Sequence, residues 1–272
     1  MMAPAPQLIR ENRFEEAIAV LEEGAGRTKD PDDQAHFLKK ASDLARGPLE
    51  DEARAMRLAQ AITEPMRSQS QQLVVLAGGQ RWEDITNRFA EVDIGTWPDT
   101  WRLDAYVARS HAWLESGNTD RAAEDLKKAI NAFGPVVTRG RSCQRLGNLY
   151  QNTLHDPEQA LAAYRKGLSL TEGTYAWRNE CFLSMIEILK EKGRYDEAVA
   201  AFQTLDYRKL STNRLLGSFY LAHAEVLRLQ GSTGQAATQL TKALRLGNLS
   251  DSARQQIESE LDQLIAGMWE NQ

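Results

Sequence analysis

Four alanines of this chain, Ala122, Ala160, Ala198 and Ala236, stand thirty-eight residues apart. Four residues after each comes a large apolar side chain: Leu126, Tyr164, Phe202 and Leu240. Three further on stand Ala129, Gly167, Leu205 and Ala243, and five before each alanine stand Gly117, His155, Gly193 and Gly231. A period of this length means that one small unit recurs. Such a unit cannot bury its apolar face alone, so neighbouring copies must stack. The 272 residues then form a repeat array rather than a globule around one core.

Within the period, a glycine precedes apolar residues spaced three and four apart. That is the pattern of a helix ending at a residue tolerant of positive φ, followed by a second helix with one apolar face. Each period therefore reads as two antiparallel helices. The alanine column suits a close helix crossing, where a larger side chain would force the pair apart. His155 breaks the glycine column. Asp156 as N-cap and Pro157 at the first helical position predict that cap chemistry replaces turn chemistry there. Strand signals are nearly absent: the apolar run "LVVLAGG" at 73–79 is flanked by helix formers and has no partner strand. The chain reads as all-α.

The best copy, "GRYDEAVAAF" at 193–202, resembles the second half of a tetratricopeptide repeat. The first helices agree: "FLSMIEILKEKG", "YVARSHAWLESG" and "YLAHAEVLRLQG" put Phe182, Tyr106 and Tyr220 eleven residues before the glycine. "RLGNLYQN" supplies Leu146, Gly147 and Tyr150, one residue out of register because the following turn is longer. The resemblance implies a right-handed α-solenoid of stacked antiparallel helix pairs with a C-terminal capping helix, although this family's usual period is shorter, about 34 residues. Residues 95–250 hold four regular repeats. Residues 1–94 hold degenerate ones: "ENRFEEAIAVL" and "QRWEDITNRF" read as second helices through Phe14, Ala17 and Leu21, and through Trp82, Ile85 and Phe89. Between them lies a hairpin with Asp30 as N-cap, Pro31 in the first turn, and Gly47 and Pro48 in the bend. Few residues precede Phe14, so the first helix of the first repeat is expected to be stunted, by an irregular cap or by excision from a longer protein. Residues 251–272 read as the closing helix, capped by Ser250, with Ala253, Ile257, Leu261, Leu264, Ile265 and Met268 on one face.

A net charge of −5 and a pI near 5.6 argue against nucleic acid, whose capture needs many phosphate-neutralising cations. No apolar run reaches the ~20 residues that cross a bilayer, and the first residues lack the pattern of a secretory signal. The expectation is a cytoplasmic protein without a membrane partner. His36, His111, His155 and His223 are scattered and lack metal-ligand spacing. No phosphate loop or nucleophile elbow is present. The reading is therefore non-enzymatic, with no cofactor and no metal. His223 sits among apolar neighbours and is expected in the core or at an interface. Cys143 and Cys181, also one period apart, occupy equivalent positions in adjacent hairpins. Equivalent helices lie about 10 Å apart, too far for a disulfide, so two buried thiols are expected, which suits a reducing compartment.

The resemblance places the first helices along a concave groove. Its outward positions on one of them are Arg141, Gln144, Arg145, Asn148, Gln151 and Asn152, a polar stripe opposite Cys143, Leu146 and Tyr150; His111 on the preceding first helix joins them. Two arginines one turn apart hold a carboxylate or a peptide backbone. Asp104, Glu180, Glu187 and Glu225 on the flanking helices are the acids expected to satisfy them instead. The function expected is a protein-interaction scaffold that holds a peptide or protein segment of unspecified identity in this groove. The alternative is an assembly subunit that self-associates, or the interaction domain of a larger protein. "WPDTW", Trp97 to Trp101, carries that choice: as a loop it either plugs the gap between degenerate and regular repeats, the favoured reading, or offers a self-association patch.

Overall fold

The computed structural model describes residues 4–171, 173, 175–204, 213–246 and 250–270. Within them lie fifteen α-helices, one 3₁₀ turn and no strand. The chain divides into two compact units, Met1–Leu149 and Tyr150–Gln272. The first unit holds α1 (Ala5–Arg10), α2 (Phe14–Arg27), α3 (Pro31–Arg46), α4 (Glu52–Gln60), α5 (Pro65–Gly78), α6 (Trp82–Phe89), the 3₁₀ turn Ile94–Thr96, α7 (Asp99–Glu115) and α8 (Thr119–Asn131). The boundary between units falls inside α9 (Val136–Asn152). The second unit continues with α10 (Pro157–Ser169), α11 (Ala176–Glu191), α12 (Tyr195–Thr204), α13 (Asn213–Leu229), α14 (Thr233–Leu244) and α15 (Asp251–Glu270). The stretch "LVVLAGG" is helical, in α5 and the residue after it, and α1 is a stunted first helix of six residues.

Every first helix turns into its second through one backbone device. The residue two positions before the second helix has positive φ in all seven hairpins: Asn12, Glu50, Gln80, Gly117, His155, Gly193 and Gly231. The next amide returns to a carbonyl near the end of the first helix, as in Asn118 to Trp113 (2.8 Å), Arg194 to Leu189 (2.8 Å) and Ser232 to Leu227 (2.8 Å). This is the Schellman closure, which satisfies a carbonyl that the helix end leaves open. After α9 the bond reaches one residue further, Asp156 to Tyr150 at 2.9 Å, the longer turn that the shifted "RLGNLYQN" implies. His155 corrects the sequence expectation. Asp156 does cap α10, accepting from the Gln159 amide at 3.1 Å, and Pro157 opens it, yet His155 still takes φ 52°. Cap chemistry is added to turn chemistry and does not replace it, because the chain reversal needs the left-handed residue whichever side chain carries it.

Three second helices have arginine at the position before their first residue, where others carry a capping acid or amide. Arg13 donates through Nε to Glu16 (2.7 Å), Arg81 to Asp84 (2.6 Å) and Arg194 to Glu197 (2.7 Å). Each acid thereby lies in the first turn, where it also favours the positive end of the helix dipole.

Five residues after each positive-φ position the chain is fully buried: Ala17, Ala55, Ile85, Ala122, Ala160, Ala198 and Ala236 are all at 0 % exposure. The degenerate α3–α4 hairpin is thus in register through Ala55, although its sequence does not advertise it. The large column is buried too, at Leu126, Tyr164, Phe202 and Leu240. Leu205 lies outside the described residues, as do the side chains of Ala253 and Met268. In the first unit α3, α5 and α7 pack as successive neighbours, with α4 and α6 behind them; in the second, α11 packs on α13 and α15 closes against α14. Ile257 of α15 is buried in the core of α13 and α14, with Leu261 and Leu264 packed against it. Trp97 and Trp101 are both buried, the former in the core around α5–α8, the latter in that around α2–α5. Trp101 sits on α7 rather than in a loop. The segment is a plug, and neither indole is available as an adhesive patch.

Candidate functional site

Three first helices of the first unit, α3, α5 and α7, each expose a short stripe to one recess. Lys39, Asp43 and Arg46 of α3 are spaced four and three apart; Val74, Ala77 and Gly78 of α5 follow the same rule, as do Asp104, Val107, Ala108 and His111 of α7. Such spacing puts side chains on one helix face. Trp82 at the start of α6 and Arg145 of α9 complete a groove of about 410 Å³. Its middle is small and apolar, and its charges lie on α3 to one side and on α7 and α9 to the other. Gly78 allows a close approach: a Cβ there would meet the Arg46 Cδ at 2.6 Å, so the arginine stem lies across it.

The charges on α3 are largely spoken for. Lys39 Nζ contacts Asp43 Oδ2 at 3.1 Å and stands 5.6 Å from the Trp101 ring centroid. Gln71 Nε2 donates to Asp43 Oδ1 (3.0 Å) and to Ser42 Oγ (3.1 Å). Arg46 reaches Asp43 only at 3.9 Å, and its buried Nε has no hydrogen-bond partner.

The α7–α9 side differs. His111 stacks on Trp82 with ring centroids 5.8 Å apart and 19° between planes, and its Nε2 faces Arg145 Nη1. Burial, reinforced by the Arg145 charge, lowers the His111 pKa from its ordinary value, so the ring is neutral and accepts from the guanidinium. Arg145 is half-buried, and burial together with the Arg141 charge lowers its own pKa. Neither Arg145 nor Arg141 makes an ion pair among the described residues. Asp104 lines the groove without one, while Glu187 and Glu225 both pair with Lys190, each at 2.8 Å. Of the four acids expected to neutralise the stripe, Asp104 thus makes no ion pair among the described residues, Glu187 and Glu225 are engaged by Lys190, and Glu180 is engaged as well.

The polar stripe on α9 is helical throughout, with Cys143, Leu146 and Tyr150 buried on the opposite face. Arg141 and Asn152 are exposed, and Gln144, Arg145, Asn148 and Gln151 are half-buried. Gln151 accepts from the Tyr164 hydroxyl at 2.8 Å, and Gln144 and Asn148 are already engaged. Of the candidate residues, the groove brings together His111 and Arg145. Lys39, Arg46, Val74 and Trp82 are the members that the sequence reading missed. The spacing rule that selected Arg141 and Arg145 selects Lys39, Asp43 and Arg46 when applied to α3; the sequence marked α3 as the first helix of a hairpin, but without a clean repeat there nothing marked which of its faces meets the recess.

Elsewhere, His223 stacks on Phe202 at 4.3 Å and 4°, as expected of a core histidine. Cys143 and Cys181 are buried thiols, neither in a disulfide. No group of three or more His, Cys, Asp or Glu able to hold a metal occurs among the described residues, and no described helix is long and apolar enough to cross a membrane.

The fold has known counterparts. The family model "Soluble NSF attachment protein, SNAP" matches residues 103–229, from α7 to the end of α13. Pseudomonas aeruginosa PilF is 16 % identical with a TM-score of 0.51, over 85 % of this chain and 99 % of that one. The C-terminal part of a TPR repeat-containing protein from Cytophaga hutchinsonii is 14 % identical with a TM-score of 0.53, over 92 % and 96 %. No curated protein sequence matches the chain. At these identities the likeness is one of fold, and the fold is the tetratricopeptide-repeat type of stacked helix hairpins.

Proposed function

We propose that the chain is a non-catalytic scaffold that holds a peptide or protein segment in the groove of α3, α5, α7 and α9. The observation that carries this reading is the recess itself: first helices that pack side by side present their polar and small side chains to one open channel of about 410 Å³. Stacked hairpins bury their apolar faces against each other and leave such a surface for recognition. The matched family is named for attachment to another protein, which agrees with an adaptor role.

Selection from a displayed random-peptide library on the immobilised protein tests this. Val74 stands in the channel and belongs to no core cluster, so Val74→Trp fills the groove without disturbing packing. Selected peptides are expected to bind the parent and to lose Val74→Trp. Peptides that bind both equally would remove the groove from the proposal. The assembly alternative predicts instead a molar mass in light scattering that rises with concentration; a constant monomer mass eliminates it.

A further inference from the structure

Among the described residues, Arg145 is the cation of this groove that makes no ion pair, as Asp104 is its acid that makes none. On the outer faces of the first unit, arginines are met by acids from a neighbouring hairpin: Arg54 by Glu22 of α2 at 3.4 Å, Arg81 by Glu52 of α4 at 3.7 Å, and Arg121 by Glu91 at 3.3 Å. These pairs are exposed and individually weak, but they leave that face with little electrostatic demand. Arg145 is different in kind. Its guanidinium is half-buried, its contact is a neutral imidazole, and the charge of Arg141 adds like-charge repulsion. A desolvated guanidinium facing no carboxylate is costly, and a bidentate anion is the group that relieves it. Arg46, whose stem lies over Gly78 on the opposite side, adds a second cation lining the same channel. Between them the floor at Val74, Ala77 and Ala108 accepts only an apolar group without loss.

We infer that the segment taken by this groove is acidic and amphipathic: the carboxylate of an Asp or Glu side chain seats on Arg145 beside the Trp82–His111 stack, while an adjacent apolar side chain lies on the α5 floor. This rests on the groove reading above and adds the chemistry of the occupant.

The test uses short fluorescein-labelled peptides blocked at both ends, so that no terminal carboxylate contributes. Their repeating pairs are Glu–Leu, phosphoserine–Leu, Gln–Leu, Lys–Leu and Glu–Ser, and binding is followed by anisotropy on the full chain. Glu–Leu is expected to bind best, and tighter binding of phosphoserine–Leu would overturn the carboxylate assignment. Glu–Ser and Gln–Leu are each expected to be weaker. Arg145→Ala is expected to weaken the acidic probe about ten- to a hundredfold, and Arg145→Glu to turn the preference toward Lys–Leu. Equal binding of Gln–Leu and Glu–Leu, an unchanged affinity in Arg145→Ala, or no binding by either anionic probe overturns the inference. Val74→Trp separates the two levels. Neutral-peptide binding that survives Arg145→Ala but is lost in Val74→Trp discards the anion seat and keeps the groove; binding indifferent to Val74→Trp discards both. Thermal melts of each variant confirm that the fold is retained.

Discussion

Arg109 on α7 and Asp125 on α8 form a two-pronged ion pair inside the first unit, with Nε to Oδ2 at 2.7 Å and Nη2 to Oδ1 at 2.8 Å. Both residues are buried, at 6 % and 2 % exposure. The remaining nitrogen, Nη1, donates to the carbonyls of Phe89 (2.9 Å) and Val92 (2.6 Å). One side chain thus ties together both helices of a hairpin and the end of the preceding one, adding a second hydrogen bond to carbonyls that already accept from the Val92 and Ile94 amides. Asp125→Leu strands the buried guanidinium and is expected to cost about 3–5 kcal/mol. The double variant Arg109→Met, Asp125→Leu removes both charges and is expected to recover part of that loss. The recovery stays incomplete because the Phe89 and Val92 carbonyls each lose one of their two hydrogen bonds, keeping only the backbone one from Val92 and Ile94. Urea denaturation of the three proteins, followed by tryptophan fluorescence, checks the order.

The alanine column makes a second expectation. At Ala198 and Ala160 the methyl group is fully enclosed, and a leucine would have to open the helix crossing. Overpacking of this kind costs about 1–3 kcal/mol. Ala160→Leu and Ala198→Leu are therefore expected to lower the denaturation midpoint. Ile85→Ala, in the one hairpin that accommodates a larger residue at this position, is expected to lower it as well, through a cavity costing about 2–5 kcal/mol. A column tolerant of leucine would mean that the helices are held apart by something other than this contact.

These two features mark how far the sequence could be read. The repeat, the helix pairs, the stunted α1, the closing α15 and the buried alanines follow from spacing alone, because a helix hairpin writes its contact face as intervals of three and four. Arg109 and Asp125 could not be paired this way. Each looks like an ordinary charge on an amphipathic helix, and only the packing of α7 on α8 brings them together. Trp82 illustrates the same limit at the groove. Spacing placed it correctly as the first apolar residue of a second helix, but its stack on His111 joins helices of two hairpins in a register that the degenerate repeats conceal. Likewise Glu50 and Gln80 carry no sequence sign of a left-handed backbone; the conserved geometry of the turn imposes it on them.

That geometry can be measured. At Gly193, φ is +67° and a Cβ would meet nothing within 4 Å, so Gly193→Ala tests backbone conformation free of any clash. It is expected to destabilise by about 1 kcal/mol, the cost of holding a side chain in the left-handed region. His155 is already in that region at φ 52° and exposed. His155→Gly is expected to be neutral to stabilising by up to about 1 kcal/mol, the relief of strain being offset in part by the greater freedom of glycine in the unfolded chain. If His155→Gly destabilised strongly, the ring would have a role beyond filling the turn.

His223 sets a pH dependence with a definite sign. Burial, followed by the charge of Lys242, pushes its pKa down to about 4, and His111 is lowered in the same direction, by burial and by Arg145. The folded state therefore holds these rings neutral over a range in which the unfolded chain, with histidine near its ordinary value of about 6.5, takes up protons. Stability is fully present above that value and is lost as pH falls through it toward about 4. The His223 ring is only half-buried, so the loss between pH 7 and pH 5 is discounted for solvent screening to about 1 kcal/mol. Glu11, Glu16 and Glu197, whose pKa values are lowered by hydrogen bonds to neighbouring side chains, have the same sign but titrate in a lower window, which leaves pH 5–7 to the histidines. His223→Phe keeps the stack on Phe202 and removes the titration. Its stability at pH 5 is expected to lie closer to its pH 7 value than the parent's does. Equal slopes for parent and variant in urea denaturation at the two pH values would show that His223 is not the group responsible.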